Sequence, residues 1–334
     1  MPSSDFQPSR RLPEPCIEVL DERFLALRLL SGTVEQLASG FYWAEGPVWF
    51  ADGRYLLFSD IPNNRILRWD DCAGLFGAAG ASQGSRLSEF RKPSNFANGL
   101  ARDRQGRLVA CEHGTRRVTR TEYNGQVTVL ASHFEGRRLN SPNDIVCKSD
   151  GSIWFTDPPF GIQGWWEGEP ATPELPHGVY CLQPDGGELT QVLSDLQGSN
   201  GLAFSPDENQ LYVVESRAAP HRKIWVYDVQ MHSRPTLSHK RLYVDAQGPG
   251  AYDGIAVDVQ GNVWCGLGSS GAPGADAAAL DGVVVYDPAG VALAHIHLPE
   301  RCANLCFGGT HNNRLFMASS HALYALYVNT RGAV

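Results

Sequence analysis

The chain has 334 residues, 43% of them hydrophobic and 10% aromatic, with a formal net charge of −8. An acidic chain lacks the basic surface that phosphates require, so neither nucleic acid nor an anionic membrane is expected as a partner. No run of 18 apolar residues is present, so no helical membrane span is predicted, and 35 Gly with 21 Pro point to many short strands joined by tight turns.

In chain order, Met1 to Pro15 is polar, carries Pro2, Pro8, Pro13 and Pro15, and has no apolar signal segment. It is expected to be a flexible N-terminal arm, and the cytoplasm is the expected compartment. Residues 16–334 are expected to form a single domain, with 16–32 packed on its outside. Val34 to Ser39 reads as a strand. From there a short phrase returns six times, headed by Glu45, Asn98, Asn143, Asn200, Asp253 and Asn304, at intervals of 53, 45, 57, 53 and 51 residues. A period of this size marks a propeller or an array of repeats.

The third copy shows the unit. Asn143 to Cys147 alternates as a first strand, and Asp150-Gly151 supplies a hairpin turn. Ile153 to Thr156 is a second strand that stops at Asp157. Gly178 to Leu182 is a third, turned by Asp185 to Gly187, and Leu189 to Leu193 is a fourth. Four antiparallel strands per unit is a propeller blade, so the fold is predicted as an all-β six-bladed propeller. The sixth copy lacks a fourth strand after Leu323 to Val328. Val34 to Ser39, which reads like Val127 to Ser132, is predicted to complete that last blade and remove its free edge. The eight cysteines are scattered without zinc-ribbon pairing and are expected to be reduced thiols.

In a propeller the first strand of each blade lines the central channel, so the six heads should gather at one mouth. The second strands should end at the same mouth, bringing Asp60, Glu112, Asp157 and Glu215. Glu45 and Asp253 offer carboxylates among the amides of Asn98, Asn143, Asn200 and Asn304, a donor set suited to a hard divalent cation. The competing reading is that Asn and Asp before Gly only shape the loops into each blade. Asn304 has no flanking glycine and no acid after its second strand, and is expected to be structural. Gly266 to Gly271 fits G-x-G-x-x-G, but Pro273 and Gly274 follow instead of a helix. The stretch is therefore assigned to a loop after a second strand rather than to dinucleotide binding. No G-x-S-x-G elbow is present.

Several stretches carry a family resemblance: Ala44 to Trp49, Leu139 to Asp144 with Phe155 to Gly161, Ser199 to Leu202, and Tyr252 to Asp258. Over about residues 34–328 the chain resembles the gluconolactonase/SMP-30 (regucalcin) family of six-bladed propellers. The bacterial gluconolactonase branch is indicated by Cys111 to Gly114 and Pro158-Pro159. The resemblance implies hydrolysis of a small-molecule sugar lactone, such as glucono-1,5-lactone, at one divalent metal ion held by Glu45, Asn200 and Asp253. Asn143 would bind substrate or the metal. Ca2+ is the first expectation, with Mg2+, Mn2+ and Zn2+ as alternatives. Asp253 is the first choice for the base and Glu45 the alternative. Asn98, Asn143, His113, Asp157 and His321 are the candidate substrate contacts. Regucalcin-like members have an arginine where this chain has Ser141. Another lactone or an organophosphate ester, or a non-enzymatic binding propeller, are the other readings. Monomer and dimer both stay open.

Overall fold

The computed structural model describes residues 7, 9–71, 86–232 and 234–333. Met1 to Phe6 and Pro8 of the N-terminal arm, and Cys72, lie outside the described residues. The architecture is a six-bladed β-propeller of four-stranded antiparallel blades. The strands that begin each blade are Ala44–Phe50, Ala97–Arg102, Ile145–Cys147, Ser199–Phe204, Gly250–Val257 and Cys302–Gly308. Each of them touches the first strand of the next blade, and the sixth returns to the first, so they form the wall of a central channel.

Blade six is completed by Glu35–Ser39, which pairs antiparallel with Ala322–Tyr327. Glu35 on that strand is also ion-paired to Arg314 of the neighbouring second strand. Closure therefore rests on a ladder and an ion pair between the two ends of the chain, and Glu35–Ser39 covers the edge that Ala322–Tyr327 would otherwise expose, becoming the outer strand of the blade. Upstream, Ile17–Val19 adds a fifth strand to the outside of blade five. The short 3-10 helix Glu22–Ala26 comes next, and its Phe24 is wholly buried against Trp264. The arm is anchored where it ends. The Glu14 carboxylate is buried and accepts from the backbone N–H of Val34.

The core lies between blades. Trp264 of blade five meets Phe307 of blade six edge-on, and Met317 and Tyr324 share the same buried cluster. Each such side chain contributes about 1.5–3 kcal/mol on burial. A ring built of six such interfaces needs no covalent staple, and the seven described cysteines are all free thiols. No helix among the described residues is long and apolar enough to cross a membrane.

The glycine-rich decoy is a correction. Val263–Ser269 is one continuous second strand, so Gly266 and Gly268 lie inside it and not in a following loop. A Cβ on Gly268 would sit 2.3 Å from Cγ of Arg301. The missing side chain leaves room for that arginine to lie across the strand.

Candidate active site

All six heads are buried, and the glycines beside them show how closely the ring is packed. A Cβ on Gly46 would lie 2.1 Å from the Asn98 carbonyl oxygen, and one on Gly201 would lie 2.3 Å from that of Asp253. The glycine after such a head is therefore the seat of the next head in the ring. At Gly201 it is set by close approach between blades, and at Gly46 a φ of 53° adds a local requirement to the same close approach. A register shift occurs beside the heads of blades one, two, four, five and six. Such bulges twist a strand locally and re-aim its side chains.

The heads divide the channel. On one side Glu45, Asn98, Asn143, Asn200 and Asp253 line a polar cavity of about 260 Å³, together with Trp43, Phe160, Gln163, Glu167, Ser216, Arg217, Arg222 and Arg301. On the other side a larger, more apolar space of about 700 Å³ is floored by Asp144 and Asn304. The smaller cavity collects five of the six heads, with both carboxylate heads among them, and is the candidate site. The larger space also has charged residues on its lining, Asp103 and Asp144 with Arg102, Arg104 and Arg331, but neither Glu45 nor Asp253 faces it.

Asp253 is bonded through both carboxylate oxygens. Asn200 Nδ2 donates to Oδ1 at 2.6 Å, and Arg301 Nη2 donates to Oδ2 at 2.7 Å. Burial raises its pKa while Arg301 opposes the rise. Glu45 has no such cation beside it. It accepts from the Gly46 backbone N–H at 2.7 Å. Burial first, then the charges of Asp253 and Asp144, push its pKa well above the usual carboxylate range. Burial likewise lifts Asp144, beneath the ring, to about 7. Asp144 is held by the Ile145 backbone N–H and by Asn304, so the sixth head does serve as a support below the cavity.

The structure brings Glu45, Asn98, Asn143, Asn200 and Asp253 together and leaves three other candidates aside. His113 is fully buried behind Asn98, with Nε2 3.4 Å from the Asn98 amide nitrogen and Nδ1 3.2 Å from the Glu167 carbonyl oxygen. Burial lowers its pKa to about 4, so it is a neutral ring that orients its two neighbours. His321 points its exposed imidazole at Glu300, 2.9 Å away, and does not line the cavity. Asp157 is buried away from the cavity and accepts from the Asn140 backbone N–H at 2.7 Å.

Asp157 is one of a set. Asp60 accepts from the backbone of Tyr42 at 3.0 Å, Glu215 from that of Gln197 at 2.7 Å, and Glu112 from the side chain of Asn95 at 3.1 Å. Each acid at the end of a second strand thus holds the loop that enters its own blade. The expected ring of acids exists, but its members tie down loops instead of lining the site.

Four charged groups in the cavity, Glu167, Arg217, Arg222 and Arg301, have no counterpart among the sequence candidates. Arg301 sits directly before a first strand and Arg217 directly after a second-strand turn, where the repeat gives no guide. Glu167 lies in the long loop of blade three. Its side chain is a quarter exposed, and desolvation together with the Asp253 charge lifts its pKa to about 7. The glycine at 268 is the one available signal for Arg301. Ser141 is buried and turned away, donating to the Pro158 carbonyl oxygen and accepting from the Gly161 N–H. Guanidinium groups in this cavity come from Arg217, Arg222 and Arg301 instead.

Residues 43–321 match the family model described as SMP-30/Gluconolactonase/LRE-like region. The gluconolactonase of Zymomonas mobilis is 33% identical over 93% of this chain and 85% of its own length. The solved structure of a Xanthomonas campestris gluconolactonase is 35% identical, with a TM-score of 0.80 over 93% of this chain and 94% of that one. A pentonolactonase of Haloferax volcanii is 23% identical over 83% of this chain and 81% of its own.

Proposed function

The chain belongs to the SMP-30/gluconolactonase/LRE-like family and is a lactone hydrolase, and on that footing we propose that a divalent cation assists it in opening a sugar lactone such as glucono-1,5-lactone to the aldonic acid. One observation carries the metal part of this reading. Two buried carboxylates, Glu45 and Asp253, face one cavity among amide groups, and the charge of Asp253 adds to the cost of ionising Glu45. A divalent cation relieves that cost, and an all-oxygen donor set suits Ca2+ first. Glu45, Asn143, Asn200 and Asp253 are the residues that would hold it. When bound, such an ion supplies Lewis acidity to the lactone carbonyl.

The remaining work falls to the chain's own groups. Asp253 is our choice for the base that takes a proton from the attacking water. Asn200 and Arg301 fix the plane of its carboxylate, which is what a positioned base requires. Glu45 is the alternative base. When water has added to the acyl carbon and the ring C–O bond breaks, the departing oxygen needs a proton. Glu167, with a pKa of about 7, is suited to deliver one near neutrality. The Nε groups of Arg222 and Arg301 are buried and unpartnered, so they are available donors for sugar hydroxyls or the carbonyl. Asn98, Gln163 and Ser216 add amide and hydroxyl contacts, and Trp43 and Phe160 wall the ring faces. A cavity of about 260 Å³ accommodates a single sugar ring.

The test is lactone hydrolysis before and after metal stripping. The expected result is loss of activity on chelation and recovery on adding a divalent cation. Full activity in stripped protein, or in Asp253→Ala on every sugar lactone tried, would overturn this mechanism.

A further inference from the structure

We propose that Glu18, His295 and His297 form a second metal site, for a zinc-class divalent cation, on the outer edge of blade five. One candidate ligand atom from each residue lies within 4.8 Å of the others. Glu18 belongs to the outer strand Ile17–Val19, and the two histidines belong to Ala292–His297, the strand it pairs with. The register sets Glu18 directly opposite His295. His295 and His297 are two residues apart on one strand, so both rings stand on the same face. Their centroids are 3.9 Å apart, and His297 Nε2 is 3.0 Å from Glu18 Oε2.

The second observation concerns His295. It is only 7% exposed, and its Nε2 is buried without a hydrogen-bond partner. The ring also hydrogen-bonds to the Leu280 backbone. An imidazole tied to backbone with a second nitrogen left free is the arrangement found in metal-ligating histidines. A buried polar atom with no partner is otherwise costly.

Two imidazoles and a carboxylate, with water on the open side, make a tetrahedral zinc ligand set. Bonds of about 2.1 Å put such ligands about 3.4 Å apart, so the present atoms need to draw in by about an ångström. The Glu18 side chain is 56% exposed and has the freedom to do so. Nitrogen ligands separate this site chemically from the all-oxygen set in the channel, which suits calcium. The two sites are also separated by the width of a blade, since Asp253 is on its first strand and the histidines are on its fourth. Bound metal would pin the three-residue outer strand, and the segment around it, to the blade that carries Asp253.

The test is calorimetric titration of zinc into wild-type protein, Glu18→Gln and His297→Gln, all in excess calcium, with melting temperatures followed in parallel. Both variants are expected to bind one zinc equivalent fewer than wild type and to hydrolyse lactone at the wild-type rate. Zinc at 100 times its Kd should raise the wild-type Tm by about 4 °C, an increment missing in the variants. Counting equivalents at 25 °C keeps the test readable if losing the Glu18 pair lowers a variant's own Tm. Either variant binding as much zinc as wild type would overturn the proposal.

Discussion

Arg301 Nη2 lies 2.7 Å from Oδ2 of Asp253, and the arginine reaches it across a strand left bare by Gly268. A hydrogen bond to a charged group is worth about 1.5–3 kcal/mol, and here it also fixes the carboxylate. Arg301→Gln is therefore expected to lower kcat/KM for a sugar lactone by about 10- to 100-fold. Arg301→Lys keeps the charge but loses the unpartnered Nε, and should fall between the two. Steady-state kinetics on the purified variants check the order.

Glu45→Gln should separate stability from function. The substitution removes a carboxylate that burial and two neighbouring acids already penalise. In metal-stripped protein its Tm is expected to equal or exceed that of wild type. Added divalent cation should then raise the wild-type Tm and leave the variant nearly unmoved, while activity falls by about 100-fold or more. Thermal melts with and without calcium, beside a rate assay, measure both.

Asp157 predicts a pH signature of folding. Burial raises its folded pKa to about 7 from an ordinary value of 3.8, so between those values the native state holds a proton that the unfolded chain has released. Its contribution to stability is fully present below about pH 4, is lost as pH rises toward 7, and is constant above that. The full difference is on the order of 4 kcal/mol. Asp157→Asn cannot titrate, so the Tm of wild type relative to this variant should decline between pH 4 and 7 and then level. A flat difference across that range would contradict the assignment.

Asp60 is wholly buried and accepts from Tyr42, Asn63 and Arg65 at once. Breaking a buried ion pair from one side costs about 3–5 kcal/mol. Asp60→Ala should therefore shift the urea midpoint accordingly. It should also raise KM, because the loop it holds carries Trp43 into the cavity. Truncation of an exposed acid such as Asp52 should do neither.

The legible part of this molecule is the part that repeats. Glu45, Asn98, Asn143, Asn200 and Asp253 fall at one mouth because strand alternation and a regular period convert directly into geometry. Asp60, Glu112, Asp157 and Glu215 do lie at the strand ends the repeat assigns them, but position along a strand does not say which way a carboxylate turns. Each finds backbone or side-chain donors on its own entry loop before it can reach the cavity. His321 departs from its expected place for the same reason, since Glu300 is nearer to it than the channel is. Arg301 lies between repeats and Glu167 in the long loop within the third, where neither periodicity nor pattern constrains them, and only packing against Gly268 and around His113 brings them in.

The strand Glu35–Ser39 closes the ring by pairing with Ala322–Tyr327. Its partner is made nearly three hundred residues later, roughly 15–60 seconds at typical rates of synthesis. Asp253 and Glu45 lie on blades five and one, on either side of the blade this pairing completes, so the ring contact through blade six exists only once that last strand is made. The cavity is therefore not assembled blade by blade as the chain emerges. It comes into being in a single late event, so a nascent or truncated chain carries the ligands without the site.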